Sequence, residues 1–353
     1  MKLLENKLWE ILEIARDGDL NEIAMGYLKE GLGNFFAKYV YDRDLTYLHY
    51  LKWLESDIEA KRINLVELYQ SLYKIFYLHR DLESAIELKK QKIKTMKKYD
   101  LSGVEYDYYE LANINYDKGD FDKALESLKQ VFKGLDTKKL TVNSLELYIR
   151  SLIMQNQLKQ DMKIFNKKEI EDELKYLETI FLNTVNHFDI NKQTSLRVQI
   201  LYLNMIYYLD NKEYQKAIQY GEKIIEIIDS GKVSIKISLK YRIFEGLAYS
   251  YLLDNKFQNA VEFAKRAIKL KNSLLSIDIF SALIILAESN IALNEYEEAL
   301  NYAHEAHSFV GESIEKLEYI YELLAKIYKA KKDDENAKEY LEKLCHLQEI
   351  NKN

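Results

Sequence analysis

Along the chain, apolar residues fall at helical three- and four-residue spacing in segments broken by short polar turns. Ile218–Ile228 reads as one such helix, with Ile218, Ile224, Ile225 and Ile228 among its apolar positions. Ser144–Ile153 reads as another, and Glu169–Leu182 as a third. The predicted fold class is all-α, with helices following one another through short connections.

Composition agrees with that pattern. The 353 residues include no proline, 11 glycines and 29 tyrosines, and 48% are hydrophobic. An all-β chain of this length needs many tight turns, and those draw on Gly and Pro. The net charge of −6 gives no general attraction to nucleic acid or to an anionic membrane. Cys345 is the single cysteine, so no internal disulfide forms and a reducing compartment is expected. The first ten residues carry acids where a leader would carry an apolar run. No run approaches 18 apolar residues, so no membrane span is expected and the chain is placed in the cytoplasm.

A repeat emerges when segments are laid over one another. Tyr108–Leu128, Phe244–Ala260 and Leu286–Ala299 each carry a Leu-Ala pair, a short polar turn, an aromatic residue, and an alanine three residues after it. The alanines after the turns are Ala85, Ala124, Ala217, Ala260, Ala299 and Ala337, with gaps of 39, 93, 43, 39 and 38 residues. The long gap has room for one further, expanded repeat, with Lys159–Lys168 read as an inserted loop. Small residues are needed where two antiparallel helices cross near their turn, as at Ala112 with Ala124, Ala248 with Ala260 and Ala325 with Ala337. Phe121, Tyr214, Phe257 and Tyr296 stand just before the second helix and close the end of each pair.

On these residues the chain resembles the tetratricopeptide repeat family over about residues 62–350. The match is clearest in the second, fifth, sixth and seventh of about seven units. The resemblance implies a right-handed α-solenoid in which no helix pair buries its apolar face alone. It also implies a binding protein rather than an enzyme. The usual unit is about 34 residues and closes on a proline; here the units are longer and the proline is absent. In that respect the chain is similar to the long-unit, peptide-sensing regulators of the Rap type.

Residues 1–61 fall outside the clear repeats and read as three helices, Lys7–Arg16, Glu22–Lys29 and Leu45–Lys61, with Gly31 and Gly33 between them. They are expected to cap the first repeat or to form a small effector bundle. Residues 62–353 then form the repeat domain.

In the family this chain resembles, the first helix of each pair lines the concave surface, and aligned units stack equivalent positions into rows. One row reads Lys74, Asn113, Arg150, Ile206, Tyr249, Glu288 and Lys326; a second includes Gln70, Tyr109, Glu146, Tyr202, Glu245, Ile284 and Glu322. A third contributes Tyr106, Asn143, Gln199 and Arg242. The expected peptide- or partner-binding set is Lys74, Tyr106, Tyr109, Asn113, Tyr116, Asn143, Arg150, Tyr202, Arg242, Glu245 and Tyr249, strongest in the first three units. Cationic and amide donors hold carboxylates or carbonyls, and tyrosines give flat amphipathic contact area. The family's clamp for C-terminal carboxylates uses a stricter set of Lys, Asn and Arg, which is only partly present.

Other chemistry finds less support. His304 and His307 stand three apart without a third ligand at metal spacing, so no metal is expected. No nucleophile-and-base arrangement or phosphate-binding glycine pattern is present, and no catalytic residue or cofactor is expected. The basic run Lys89, Lys90, Lys92, Lys94, Lys97 and Lys98 reads as a solvated face on the convex side, with RNA binding as the less favoured alternative. A constitutive scaffold is the other alternative. The partner is expected to be a protein or peptide; the oligomeric state is left open.

Overall fold

The computed structural model describes residues 58–350 except 79, 138, 164–165, 232–234, 274–277 and 312. Most of these residues are helical, and no strand occurs among them. The three helices expected in residues 1–61 lie outside the described residues, apart from the last four positions. Those positions belong to a helix that runs on into the first repeat.

The chain divides into two compact units, Met1–Phe165 and Asn166–Asn353. In the first unit α1 (Ile58–Leu78) packs on α2 (Leu82–Lys98), and α3 (Val104–Lys118) packs on α4 (Phe121–Gly134). Helix α5 (Val142–Met162) closes against α3 and α4. In the second unit α6 (Lys167–Thr184) lies against α7 (Ile190–Asp210). Four helix pairs involve α7 with α8 (Tyr214–Asp229), α9 (Ile237–Leu253) with α10 (Phe257–Lys269), α11 (Phe280–Ala292) with α12 (Tyr296–His307), and α13 (Ile314–Ala330) with α14 (Asp334–Ile350). Each pair also packs on the next. The architecture is that of an all-α solenoid of tetratricopeptide-type helix pairs.

One turn is used six times among the described residues. The first helix of each pair ends on a residue in the left-handed region: Arg80, Gly119, Lys212, Asn255, Asn294 and Lys332. The amide of the following residue reaches back to the carbonyl five positions earlier, as Asp120 does to Asn115 at 2.8 Å and Lys256 to Tyr251 at 2.9 Å. This Schellman closure satisfies helix-end carbonyls that would otherwise lack partners. The same residue then caps the second helix, where its carbonyl accepts from the alanine four positions on: Ala124 from Asp120 at 3.0 Å, Ala260 from Lys256 at 3.1 Å. The alanine row therefore marks the first full turn of every second helix in these pairs. Ala85, Ala124, Ala217, Ala260 and Ala299 have no exposed surface, and Ala337 is also buried. A compact turn of this type ends the first helix without proline.

The third repeat differs from its expected form. Helix α5 continues to Met162 and α6 begins at Lys167. Lys159–Met162 and Lys167–Lys168, expected in an inserted loop, are thus helical, and they belong to two long helices of 21 and 18 residues.

The core of the second unit runs through every pair from α7 to α13 and includes Val198, Ile243, Leu247, Leu283, Leu286 and Ile320, all fully buried. Each such aliphatic side chain contributes about 1.5–3 kcal/mol on burial. Gly221 on α8 lets α9 approach closely: a Cβ there would stand 2.6 Å from Leu247 Cδ1.

Candidate functional site

The first helices of the pairs in the second unit enclose a cavity of about 850 Å3. Ile206, Ile284, Ile285, Leu252, Ile291 and Phe280 supply most of its apolar lining. Gly246 on α9 faces it without a side chain, and a Cβ there would come within 2.9 Å of Met205 Cε. Three tyrosines stand at it, Tyr202 on α7, Tyr249 on α9 and Tyr319 on α13, the last two 43% and 40% exposed.

Four charged side chains complete the lining: Arg242 and Glu245 on α9, Glu288 on α11 and Lys326 on α13. The carboxylates are engaged. Glu288 accepts the Tyr319 hydroxyl at 2.7 Å, which bridges α13 and α11. Burial raises the carboxyl pKa of Glu245, while hydrogen bonds from Ser281 and Tyr241 and the charge of Arg242 pull it back. The cations are held less tightly. Arg242 and Lys326 are exposed and form no ion pair or hydrogen bond among the described residues. Several apolar walls with a few converging polar groups, at this volume, have the character of a ligand pocket, for which about 300–1,000 Å3 is usual.

The structure brings Tyr202, Arg242, Glu245 and Tyr249 of the expected set to this cavity. Ile206, Ile284, Glu288 and Lys326, further members of the same rows, line it too. Phe280, Ser281 and Tyr319 line it without standing in the rows read from the sequence. Ser281 and Tyr319 continue the row of Arg242 at 39 and 38 residues, so extending that row through the last two repeats finds them.

In the first unit Tyr109, Asn113, Tyr116 and Arg150 are engaged within the fold. Asn113 Nδ2 donates to the Tyr109 carbonyl at 2.8 Å, and Arg150 Nη2 pairs with Glu146 at 2.9 Å on its own helix. Burial raises the Tyr109 pKa against hydrogen bonds from Asn113 and Arg150, which favour the phenolate. The Tyr116 hydroxyl donates to Asp161 and accepts from Gln157, each at 2.7 Å, tying α3 to α5. Lys74, Tyr106 and Asn143 are exposed.

The basic run is not a uniformly solvated face. Lys89 has no exposed surface; its ammonium donates to Asp107 Oδ1 at 2.9 Å and contacts Gln70 and Glu110, with the Tyr73 ring centroid 4.2 Å away. Lys92 also reaches Asp107, at 2.7 Å, and its pKa is lowered by burial and by the neighbouring Lys89. The inward placement takes two of the six lysines away from any nucleic-acid contact and puts them between α1, α2 and α3. Lys90, Lys94, Lys97 and Lys98 remain exposed. His304 and His307 pack beside Tyr340 and Tyr321, at ring-centroid distances of 6.5 and 5.9 Å. No cluster of three or more metal-ligating side chains occurs among the described residues. None of the described helices is long and apolar enough to cross a membrane.

Comparison with known proteins follows the repeats. The family described as tetratricopeptide repeat matches residues 108–133 and 319–351. The family described as anaphase-promoting complex, cyclosome, subunit 3 matches residues 210–306. No curated protein matches the sequence. Among solved structures, aspartyl phosphate phosphatase F from Bacillus subtilis is similar with a TM-score of 0.52 at 12% identity, over 98% of this chain and 94% of that one. The apo form of RapI is similar with a TM-score of 0.51 at 14% identity, over 99% and 98%. A signal transduction ATPase with a tetratricopeptide repeat sensor from Pyrococcus horikoshii gives 0.52 at 13% identity, over 97% of this chain and 62% of that one. At these identities the likeness concerns the fold.

Proposed function

We propose that this chain, whose helix pairs are of the tetratricopeptide type, is a peptide receptor whose ligand lies in the cavity formed by α7, α9, α11 and α13. The observation that carries this reading is the cavity itself. It has an apolar lining, exposed tyrosines and a few charged groups, mostly on the first helices of consecutive pairs. Tyrosines offer large contact area at small conformational cost, and the charges fix orientation. The fold shared with a signal transduction ATPase that carries a tetratricopeptide repeat sensor is in keeping with a sensing role. A ligand seated across these helices would hold their spacing, and occupancy would be passed on through the helix pairs that carry them.

The test is retention of peptides from a random hexapeptide mixture in equilibrium dialysis, read by mass spectrometry. Wild-type protein is expected to retain a defined subset, and Ile284→Glu, which puts a charge on the apolar lining, to lose it. Retention that persists in Ile284→Glu and Tyr249→Ala would place binding elsewhere.

A further inference from the structure

The cavity's polar groups are unequally satisfied. Glu288 already accepts a hydrogen bond from Tyr319, and Glu245 accepts from Tyr241 and Ser281. Arg242 acts on Glu245 only through space, and Lys326 has no partner among the described residues. A guanidinium or ammonium that lines an apolar cavity without a direct ion pair is the group a ligand can pair with most strongly.

Their placement adds a constraint. Arg242 lies in the first half of α9, and Lys326 lies near the end of α13, with α11 between them. Ile284 and Ile285 of α11 supply apolar surface between the two cations. Two helix-to-helix steps of about 8–10 Å each, with a rise of about 10 Å along the helices, put the cations about 20 Å apart. An extended chain covers that distance in about six residues, at about 3.3–3.6 Å per residue. We propose that the ligand is an acidic–apolar–acidic peptide segment, with carboxylates at its two ends paired to Arg242 and Lys326 and hydrophobic side chains over Ile284. A peptide has one terminal carboxylate, so at least one of the two anions is an acidic side chain.

This inference rests on the peptide-receptor reading, and the experiment separates the two. Three fluorescein-labelled, end-blocked hexapeptides are titrated in fluorescence anisotropy, each with Leu-Phe-Leu-Leu at its centre. Asp stands at both ends of the first, Asn of the second and Lys of the third. The Asp peptide is expected to bind about tenfold or more tighter than the Asn peptide, and the Lys peptide to bind weakest. Arg242→Gln and Lys326→Gln are each expected to remove most of the Asp-over-Asn preference, read as the ratio of the two affinities within each variant. The double reversal Arg242→Glu with Lys326→Glu is expected to make the Lys peptide the preferred one. Equal binding of Asp and Asn peptides, both lost in Ile284→Glu, would overturn the acidic assignment and leave the receptor reading standing. If neither these three nor any peptide of the random mixture binds in an Ile284-dependent way, both fall.

Discussion

The ammonium of Lys89, with no exposed surface, stands 2.9 Å from Asp107 Oδ1 and joins α2 to α3. Gln70 of α1 and Glu110 of α3 share the same ammonium, so one buried cation holds three helices together. Removing one partner of a buried pair leaves the other charge without compensation, which typically costs about 3–5 kcal/mol. Lys92 still reaches Asp107 when Lys89 is gone, so Lys89→Ala is expected to cost about 3 kcal/mol, at the low end of that range. Lys90→Ala, at an exposed position, is expected to change stability by less than about 0.5 kcal/mol. Urea unfolding of the two variants checks the contrast.

The six left-handed turn residues differ in chemistry, and stability follows. Lys212 has φ of 61° and Lys332 of 65°, a region that costs an L-residue about 1–2 kcal/mol. Replacing either by Gly is expected to raise stability by about 0.5–1 kcal/mol after the extra chain entropy is counted. The reverse holds at Gly119, with φ of 85° and no atom within 4 Å of the point a Cβ would occupy. Gly119→Ala is expected to lose about 1 kcal/mol from backbone strain alone. Shifts in urea midpoint of opposite sign are the readout.

Ala260 is fully buried at the start of α10 and donates its amide to the Lys256 carbonyl. Its size fits the crossing with α9, where Ala248 is also fully buried. Ala260→Leu is expected to cost about 1–3 kcal/mol through overpacking, while Ala260→Gly costs about 1 kcal/mol through helix propensity. Thermal unfolding of both variants separates the two causes.

Glu245 titrates with a definite sign. Burial is the largest cause of its raised pKa, and the Asp278 carboxylate adds to it. A carboxyl whose pKa is higher in the folded state takes up its proton more readily there than in the unfolded chain. Its contribution favours the fold below the ordinary carboxylate pKa and is lost as pH rises through the raised folded value. Glu245→Gln removes that loss. The variant is therefore expected to gain stability relative to wild type as pH rises from about 4 to about 8, and urea midpoints across that range read the difference.

The helix pairs are legible in the sequence because one alanine row recurs at the same place in each pair. Those alanines mark the fourth position of the second helix, and the aromatic residues Phe121, Tyr214, Phe257 and Tyr296 begin it. The junction of the long α5 and α6 is not legible in the same way, because no such alanine follows Lys163. At Lys89 charge suggests surface where spacing points inward. It stands in the stripe Ile86, Lys89, Ile93 and Met96, all buried, while its partners Asp107 and Glu110 lie 18 and 21 residues away. The rows of first-helix residues are legible too. The choice among repeats is not, because pairing such as that of Arg150 with Glu146 depends on rotamers.

The central claim is that the cavity of the second unit is where a peptide lies. Its most direct measurement is a methyl-resolved NMR titration of isoleucine-labelled protein with the Asp-flanked hexapeptide. Saturable shifts at the Ile206 and Ile284 methyls, with Ile93 and Ile149 of the first unit unmoved, are the predicted result. Shifts confined to the first unit, or saturable binding that leaves Ile206 and Ile284 unchanged, would contradict it.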